Sequence, residues 1–339
     1  MSFVNFWFFR ARVGLSTARL CAGLLGAVML VVAGTALAQL PAGKPIRILV
    51  PYAPGSVVDL VPRLLAERMS VDLGQPVVVE NKSGGLGLSA INDVLNGPTD
   101  GTVILAADVA HWAINPAMQT VTYDFLRDFK PLSMTFSNGL IFYTSTGSGI
   151  NSLEDLIAQA KAKPGQLNFG SSGIGSVHHL AFETLKAAFG LDIKHIPYRG
   201  SGVVVESVLR NDVQVALSSV GVVMPHVKAG KARMLAVSIT SRLKQVPEVP
   251  TVAEITGLKE FHFPGQQGFA VKAGTPQPIV DRLSQAIRKA SLQPELYNRV
   301  LDTTASEMTP NSPEEISEMI RADLRRITAA VKAAAIKAQ

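Results

Sequence analysis

Two clusters of side chains in this 339-residue chain have the types that chemistry needs. Ser171, Ser172 and Ser176 lie close in sequence to His178 and His179, and a hydroxyl beside an imidazole is how a hydrolase begins to build its nucleophile and base. No G-x-S-x-G turn occurs in the chain to present such a serine. His179 therefore reads first as a brace for the start of its helix or as cleft wall. A secreted serine-type hydrolase, or another enzyme using Ser171, Ser172 and His179, is the alternative. The second cluster, Gly85-x-Gly87-x-x-Ala90 with Asp108 ending the next strand, resembles a dinucleotide fingerprint. Its glycines start several residues past their strand and its helix is cut short by Gly97-Pro98, which argues against a nicotinamide or flavin. The six histidines (His111, His178, His179, His195, His226, His262) contain no i,i+4 pair and no acidic cluster at ligand spacing. No metal and no cofactor is expected, and no paired carboxylates stand out for acid–base work.

What remains is anion binding by backbone. Ile46 to Val50 reads as a buried strand, Pro51, Pro54 and Gly55 stop it, and an apolar-periodic helix follows with Leu60, Leu64 and Leu65 on one face. A strand, a tight turn and a helix start aim unpaired N–H groups at one point, which suits a carboxylate or a phosphate. The same pattern recurs: strand Leu167 to Gly170, the turn Ser171 to Ser176, and a helix from Val177 to Phe189.

These two turns belong to two βα series. The first runs through a strand at Pro76 to Glu80, the glycine loop Asn81 to Gly87, a helix at Leu88 to Leu95 and a strand at Thr102 to Ala107, with extended runs at Leu132 to Phe136 and Leu140 to Ser145. The second starts with a helix capped by Ser152 and continues with strands at Ile193 to Pro197, Val213 to Leu217 and Met234 to Ser238, and helices at Val203 to Leu209 and Val222 to Ala229. A strand at Gln266 to Val271 and two last helices, Pro276 to Ser291 and Pro313 to about Ala335, close the chain. This predicts an α/β protein of two lobes, each a doubly wound sheet flanked by helices. Lobe 1 is 39–140 with 266–339, lobe 2 is 141–265, and the ligand lies between them at the strands' carboxyl ends.

The first 38 residues read as a secretory leader: Arg10, Arg12 and Arg19, an apolar block from Leu20 to Val32, and Ala36-Leu37-Ala38 as the cleavage site before Gln39. The only cysteine, Cys21, lies inside it, so the mature chain has no disulfide or thiol ligand. Losing the leader's three arginines lowers the net charge from +6 to +3. No Lys/Arg run remains to suggest nucleic acid. The mature chain is expected to be secreted.

With these residues in view, the mature chain resembles the extracytoplasmic solute receptors of tripartite tricarboxylate transporters, the TctC or Bug (Bordetella uptake gene) family. The resemblance is carried by KPIRILVPYAPGSVVD (44–59), LGQPVVVENKSGGLG (73–87), DGTVILAA (100–107), INP (114–116), LNFGSSGIGSVHHLAFE (167–183), HIPYRGSG (195–202), PHVKAGKARMLAV (225–237) and VPEVPTVAE (246–254). It implies a type II periplasmic-binding (Venus flytrap) fold whose lobes close on a small carboxylate, and delivery of that solute to membrane permease subunits. An orphan solute sensor is the variant within this class. Carried over by position, the first-lobe contacts are Tyr52, Ala53, Pro54, Gly55, Ser56, Asp59, Gly84 and Gly85. The second-lobe contacts are Ser171, Ser172, Gly173, Ser176 and His179, with Tyr198, Ser218 and Ser219 nearby. Asp59 is expected to brace its turn or hold a water, since a bare acid would repel the ligand.

The departures bear on specificity. The family's PGGGTD is here Pro54-Gly55-Ser56-Val57-Val58-Asp59, its Asn and Gly after the second glycine loop are Leu88 and Ala90, its second-turn Asn is Ile174, and its Asp-Asn pair is Ser218-Ser219. Val57, Val58, Leu88 and Ile174 make the expected cleft more apolar. A buried polar group left unpaired costs about 1–3 kcal/mol, so such a cleft favours a carboxylate with a more apolar or aromatic body than citrate or malate.

Overall fold

The computed structural model describes residues 40–198 and 200–333. The expected leader and cleavage site, with Cys21, lie outside them. Among the described residues nine strands are present, β1 Ile46–Val50, β2 Val77–Asn81, β3 Val103–Asp108, β4 Phe129–Ser145, β5 Leu167–Ser171, β6 Ile193–Pro197, β7 Val215–Ser219, β8 Ala232–Val237 and β9 Pro264–Lys272. The main helices are α1 Val57–Leu73, α2 Leu88–Leu95, α3 Leu153–Ala162, α4 Val177–Phe189, α5 Ser201–Leu209, α6 Val220–Lys228, α7 Gln277–Ser291, α8 Pro294–Thr304 and α9 Pro313–Ala333.

The strands order as β2-β1-β3-β9-β4-β7-β5-β6, with β8 paired to β4. Two copies of one plan are hidden in that order. In the first lobe β2, β1, β3 and β4 are parallel and β9 runs antiparallel between β3 and β4. In the second, β6, β5, β7 and β8 are parallel and the antiparallel strand between β7 and β8 is the far half of β4. Each lobe thus receives its one antiparallel strand from the chain crossing over from the other. Both faces of the first sheet are covered: Ile46, Ile48 and Val50 point into one core with α1 and α7, while Leu49 and Leu105 point into another with α2 and Trp112. That alternation is why these strands read as unbroken apolar runs.

Three expectations need amending. The runs at Leu132 to Phe136 and Leu140 to Ser145 are one strand, β4. Ser137-Asn138-Gly139 looks like a turn in sequence, but it bonds to β9 through Ser137–Gln266, Asn138–Gly265 and Gly139–Pro264. From Leu140 onward the same strand pairs with β7 instead. A further helix, α8, lies between the two expected last ones. Finally, the C-terminal helices do not serve lobe 1 alone. α9 packs on β4 and on α4, and α8 ends against Gly221, where a Cβ would stand 2.8 Å from the Thr304 carbonyl. Buried Asp323 of α9 accepts from Trp112 Nε1 (3.0 Å) and Gln266 Nε2 (2.5 Å), tying α9 to the crossover strand β9.

Candidate functional site

The segments after β2, β3 and β5 approach one another, a Cβ on Gly175 standing 3.6 Å from Asn115 Oδ1 and 3.7 Å from Leu86, and the carboxyl ends of the strands are where an open α/β sheet leaves a crevice. In lobe 1, β1 ends at Val50 and the chain turns through Pro51–Gly55 to Ser56, the N-cap of α1. Ser56 has extended backbone and makes no side-chain cap, and its Oγ is buried with no partner among the described residues. The turn is held from behind. Asp59 Oδ2 accepts from Gly55 N–H at 2.9 Å, Oδ1 from Asn81 Nδ2 at 2.8 Å, and Arg63 Nη2 lies 2.9 Å away. Burial alone would raise the Asp59 pKa, but Arg63, Gly55 N–H and Asn81 together hold it below the usual carboxylate range. Its oxygens are committed to the fold, and Asp59 is a brace.

Beside this turn stands a group that local sequence reading did not assemble. Tyr52 Oη donates to Asp108 Oδ2 at 2.5 Å, while Asp108 Oδ1 accepts from Ala110 N–H at 2.9 Å and lies 2.8 Å from His111 Nδ1, which in turn accepts from the Asp108 N–H at 3.2 Å. Asp108 is buried, which would raise its pKa, but His111, Tyr52 and Ala110 hold it down. Burial, with Asp108 opposite, pushes the Tyr52 phenol well above its ordinary value. The signal was available, since an acid at the carboxyl end of the strand beside β1 falls at the topological switch point. The glycine loop Gly84-Gly85-Leu86-Gly87 lies against this group, and a Cβ at Gly87 (φ +86°) would run into the His111 imidazole.

In lobe 2 the turn Ser171–Ser176 leads into α4. Ser176 caps the helix, accepting from His179 N–H at 3.2 Å and donating to Gly173 O at 2.7 Å. Ser171 is fully buried; its Oγ accepts from Gly173 N–H at 3.1 Å and lies 2.7 Å from His195 Nε2. His179 stacks on His195 at 4.2 Å, His195 on Phe169 at 4.6 Å, and Phe169 on Phe182 at 4.1 Å. Burial lowers the His195 pKa to about 3, with His179 and Lys186 adding to the effect. Ser171, Ser176 and His179, expected as contacts, are therefore committed to holding their own turn. Tyr198 donates its N–H to Ser171 O at 2.9 Å and backs the same turn. Ser218 and Ser219 are buried at the end of β7, Ser219 as an unbonded N-cap of α6.

Ser172 and Ile174 are only partly buried. Ser172 Oγ lies 2.9 Å from His178 Nδ1. Burial pushes the His178 pKa down to about 4 against the pull of Asp108 from the other lobe. The pair has the first contact of a nucleophile–base system and lacks the rest: among the described residues no carboxylate is hydrogen-bonded to His178, and an imidazole titrating near 4 is a poor base at neutral pH. Of the four apolar replacements, Val57, Val58 and Leu88 pack against the cores, whereas Ile174 joins none of them. Among the described residues no group of three potential ligands could hold a metal ion, and no helix is long and apolar enough to cross a membrane.

Comparison with known proteins identifies the family. A family model described as "Tripartite tricarboxylate transporter family receptor" matches residues 61–336. The chain belongs to this family. The receptor is 35% identical over 251 residues to Protein BugT of Bordetella pertussis, covering 73% of this chain and 76% of that one. Among solved structures it is similar to one described as "Structure of a periplasmic transporter" (TM-score 0.79, 32% identity, 87% of this chain and 99% of the other). It is also similar to R. palustris Rpa4515 with adipate (TM-score 0.80, 26% identity, 87% and 99%). The two-lobed periplasmic-binding fold expected from the sequence is thus the fold observed.

Proposed function

We propose that this receptor captures a small organic carboxylate between lobes 39–140/266–339 and 141–265, in the periplasm and as a monomer, and delivers it to the permease subunits of a tripartite tricarboxylate transporter. The leader, residues 1–38, would direct export. The reading is supported by the turn before α1, where the Ser56 hydroxyl is buried with no partner among the described residues, and by the approach of the turn before α4 to the lobe 1 glycine loop, Gly175 facing Leu86 and Asn115. Free amides at two helix starts offset a carboxylate's charge without a paired arginine. The contacts proposed are the Tyr52–Ser56 turn, Gly84, Gly85, Ser172 and Gly173, with Ser218 and Ser219 at the floor and Ile174 facing the ligand's body. The adipate held by Rpa4515, a diacid with a plain methylene chain, supports the apolar-bodied class.

An enzyme using Ser172 is the second reading, because the Ser172–His178 contact is real. The missing carboxylate and the depressed imidazole weigh against it. A thermal-shift panel of adipate, hexanoate, benzoate, malate and citrate tests the binding class. The largest stabilisation is expected from an apolar-bodied acid; strongest stabilisation by citrate with none from monocarboxylates would reject the class. Turnover of any bound acid that disappears in Ser172→Ala would replace the receptor reading with an enzyme.

A further inference from the structure

Leu86 holds a backbone conformation that leucine avoids. Its φ of 56° and ψ of 33° lie in the left-handed region, between Gly85 at φ 55° and Gly87 at φ 86°. A glycine would adopt this conformation without strain, and strain of this kind persists only where the surroundings require it. Leu86 is also 42% exposed, a large apolar side chain kept in part against solvent. Nothing in its own loop calls for a side chain.

The demand comes from the opposite lobe. A Cβ built on Gly175, in the turn before α4, would lie 3.7 and 3.9 Å from the two methyl carbons of Leu86 and 3.6 Å from Asn115 Oδ1. Gly175 is itself at φ 75°, so the turn offers a bare backbone surface just where the leucine arrives. Buried Asn115 fixes the loop from its own side, donating from Nδ2 to the Leu86 carbonyl at 2.8 Å. The strained backbone, the asparagine clamp and the glycine opposite all serve one contact, a leucine reaching from the lobe 1 glycine loop to the Gly175 turn.

We propose that Leu86 is a specificity-determining residue of this receptor: it joins the lobe 1 glycine loop to the Gly175 turn and forms an apolar cover over the bound solute. This rests on the reading that a carboxylate binds between the lobes. Beneath a leucine, a methylene chain or a ring loses nothing, while a hydroxyl gives up water without gaining a partner. The cover also adds contact area that only the closed state has, so it contributes to closure.

The experiment compares wild type with Leu86→Gly, a substitution that suits the observed backbone and leaves folding intact. The unliganded melting temperature is expected to change by no more than about 2 °C, since relief of strain offsets the added freedom of the unfolded chain. Spin labels on Val71→Cys and Val203→Cys, exposed positions of α1 and α5, report the distance between lobes without ligand. Calorimetry reports binding of adipate and malate. Leu86→Gly should lengthen and broaden the interlobe distance, weaken adipate about tenfold as the leucine's contact area is lost, and weaken malate less. An unchanged distance distribution, or equal loss for both acids, overturns the proposal. If wild type binds neither these acids nor hexanoate, benzoate or citrate while Leu86→Gly still lengthens the distance, the closing role of Leu86 stands and the carboxylate reading falls.

Discussion

Gln267 Nε2 donates to the Val58 carbonyl at 2.8 Å, and that carbonyl is the one Pro62 cannot serve. Residue 62 would supply the i→i−4 bond to Val58 in α1, but proline has no N–H. The fully buried Gln267, on the crossover strand β9, takes over. A helix defect in α1 is thereby repaired from the crossover strand β9.

Replacing Gln267 with Leu keeps the volume and removes the donor. The orphaned carbonyl is expected to cost about 1–3 kcal/mol, read as a lower urea midpoint at unchanged slope. Because α1 presents its first amides to the cleft, carboxylate affinity should fall as well. A variant with wild-type stability would mean that water serves Val58 as well as Gln267 does.

Gly87→Ala tests the packing of the glycine loop on the Asp108–His111 group. The new methyl enters the space of the His111 ring at φ +86°, combining left-handed strain with overpacking. A loss of about 2–4 kcal/mol is expected in denaturant unfolding. The Tyr52–Asp108 bond should loosen with it, visible as a fall of the raised phenol titration toward the ordinary tyrosine range.

Histidines whose pKa is lowered by desolvation give the receptor an acid limb of stability, His178 and His195 most strongly and His179 and His262 in the same direction. His178 and His195 titrate near 4 and 3 in the folded protein and near 6.5 when unfolded. Below pH 6.5 the unfolded chain binds protons that the folded one refuses, so stability falls as pH drops from 6.5 toward 4. Each group contributes at most about 1.4 kcal/mol per pH unit. Asp59 and Asp108, held below their usual range, lose their contribution only at more acidic pH and do not obscure this window. Urea midpoints at pH 7 and pH 5 should differ, and His195→Gln, which can still meet Ser171, should flatten the difference. An unchanged slope would remove His195 from the account.

Much of this architecture was readable because local pattern and tertiary role agree. Ile46–Val50 and Val177–Phe189 fall where the apolar period and the flanking Pro, Gly and Ser put them. The long strand β4 was not readable, because Ser137-Asn138-Gly139 carries turn residues and only pairing with β9, more than a hundred residues away, keeps it extended. α8 did carry a signal, Pro294 at its start with Leu296 and Val300 one turn apart. The site divides the same way. Two amide-rich turns show in the sequence, but Tyr52 meets Asp108 across 56 residues. Nor does a motif say that Ser171 and Ser176 spend their hydroxyls on their own turn.

The apolar replacements at the cleft can be separated by the same criterion. Leu88, partly buried, packs against the core that holds Leu49 and Trp112, so Leu88→Asn should destabilise by about 1–2 kcal/mol, as trading partly buried aliphatic packing for a polar group does. Ile174 contacts no core and sits in the turn beside Ser172. Ile174→Asn should leave the melting temperature within about 2 °C, as a substitution outside the core does. It should also shift preference, weakening adipate and strengthening malate, because the amide can pair with a ligand hydroxyl that isoleucine leaves unsatisfied. Calorimetry with both acids on both variants separates the roles. If Ile174→Asn binds the two acids in the wild-type ratio, the residue does not face the ligand, and selection against hydroxylated acids must come from Leu86 alone.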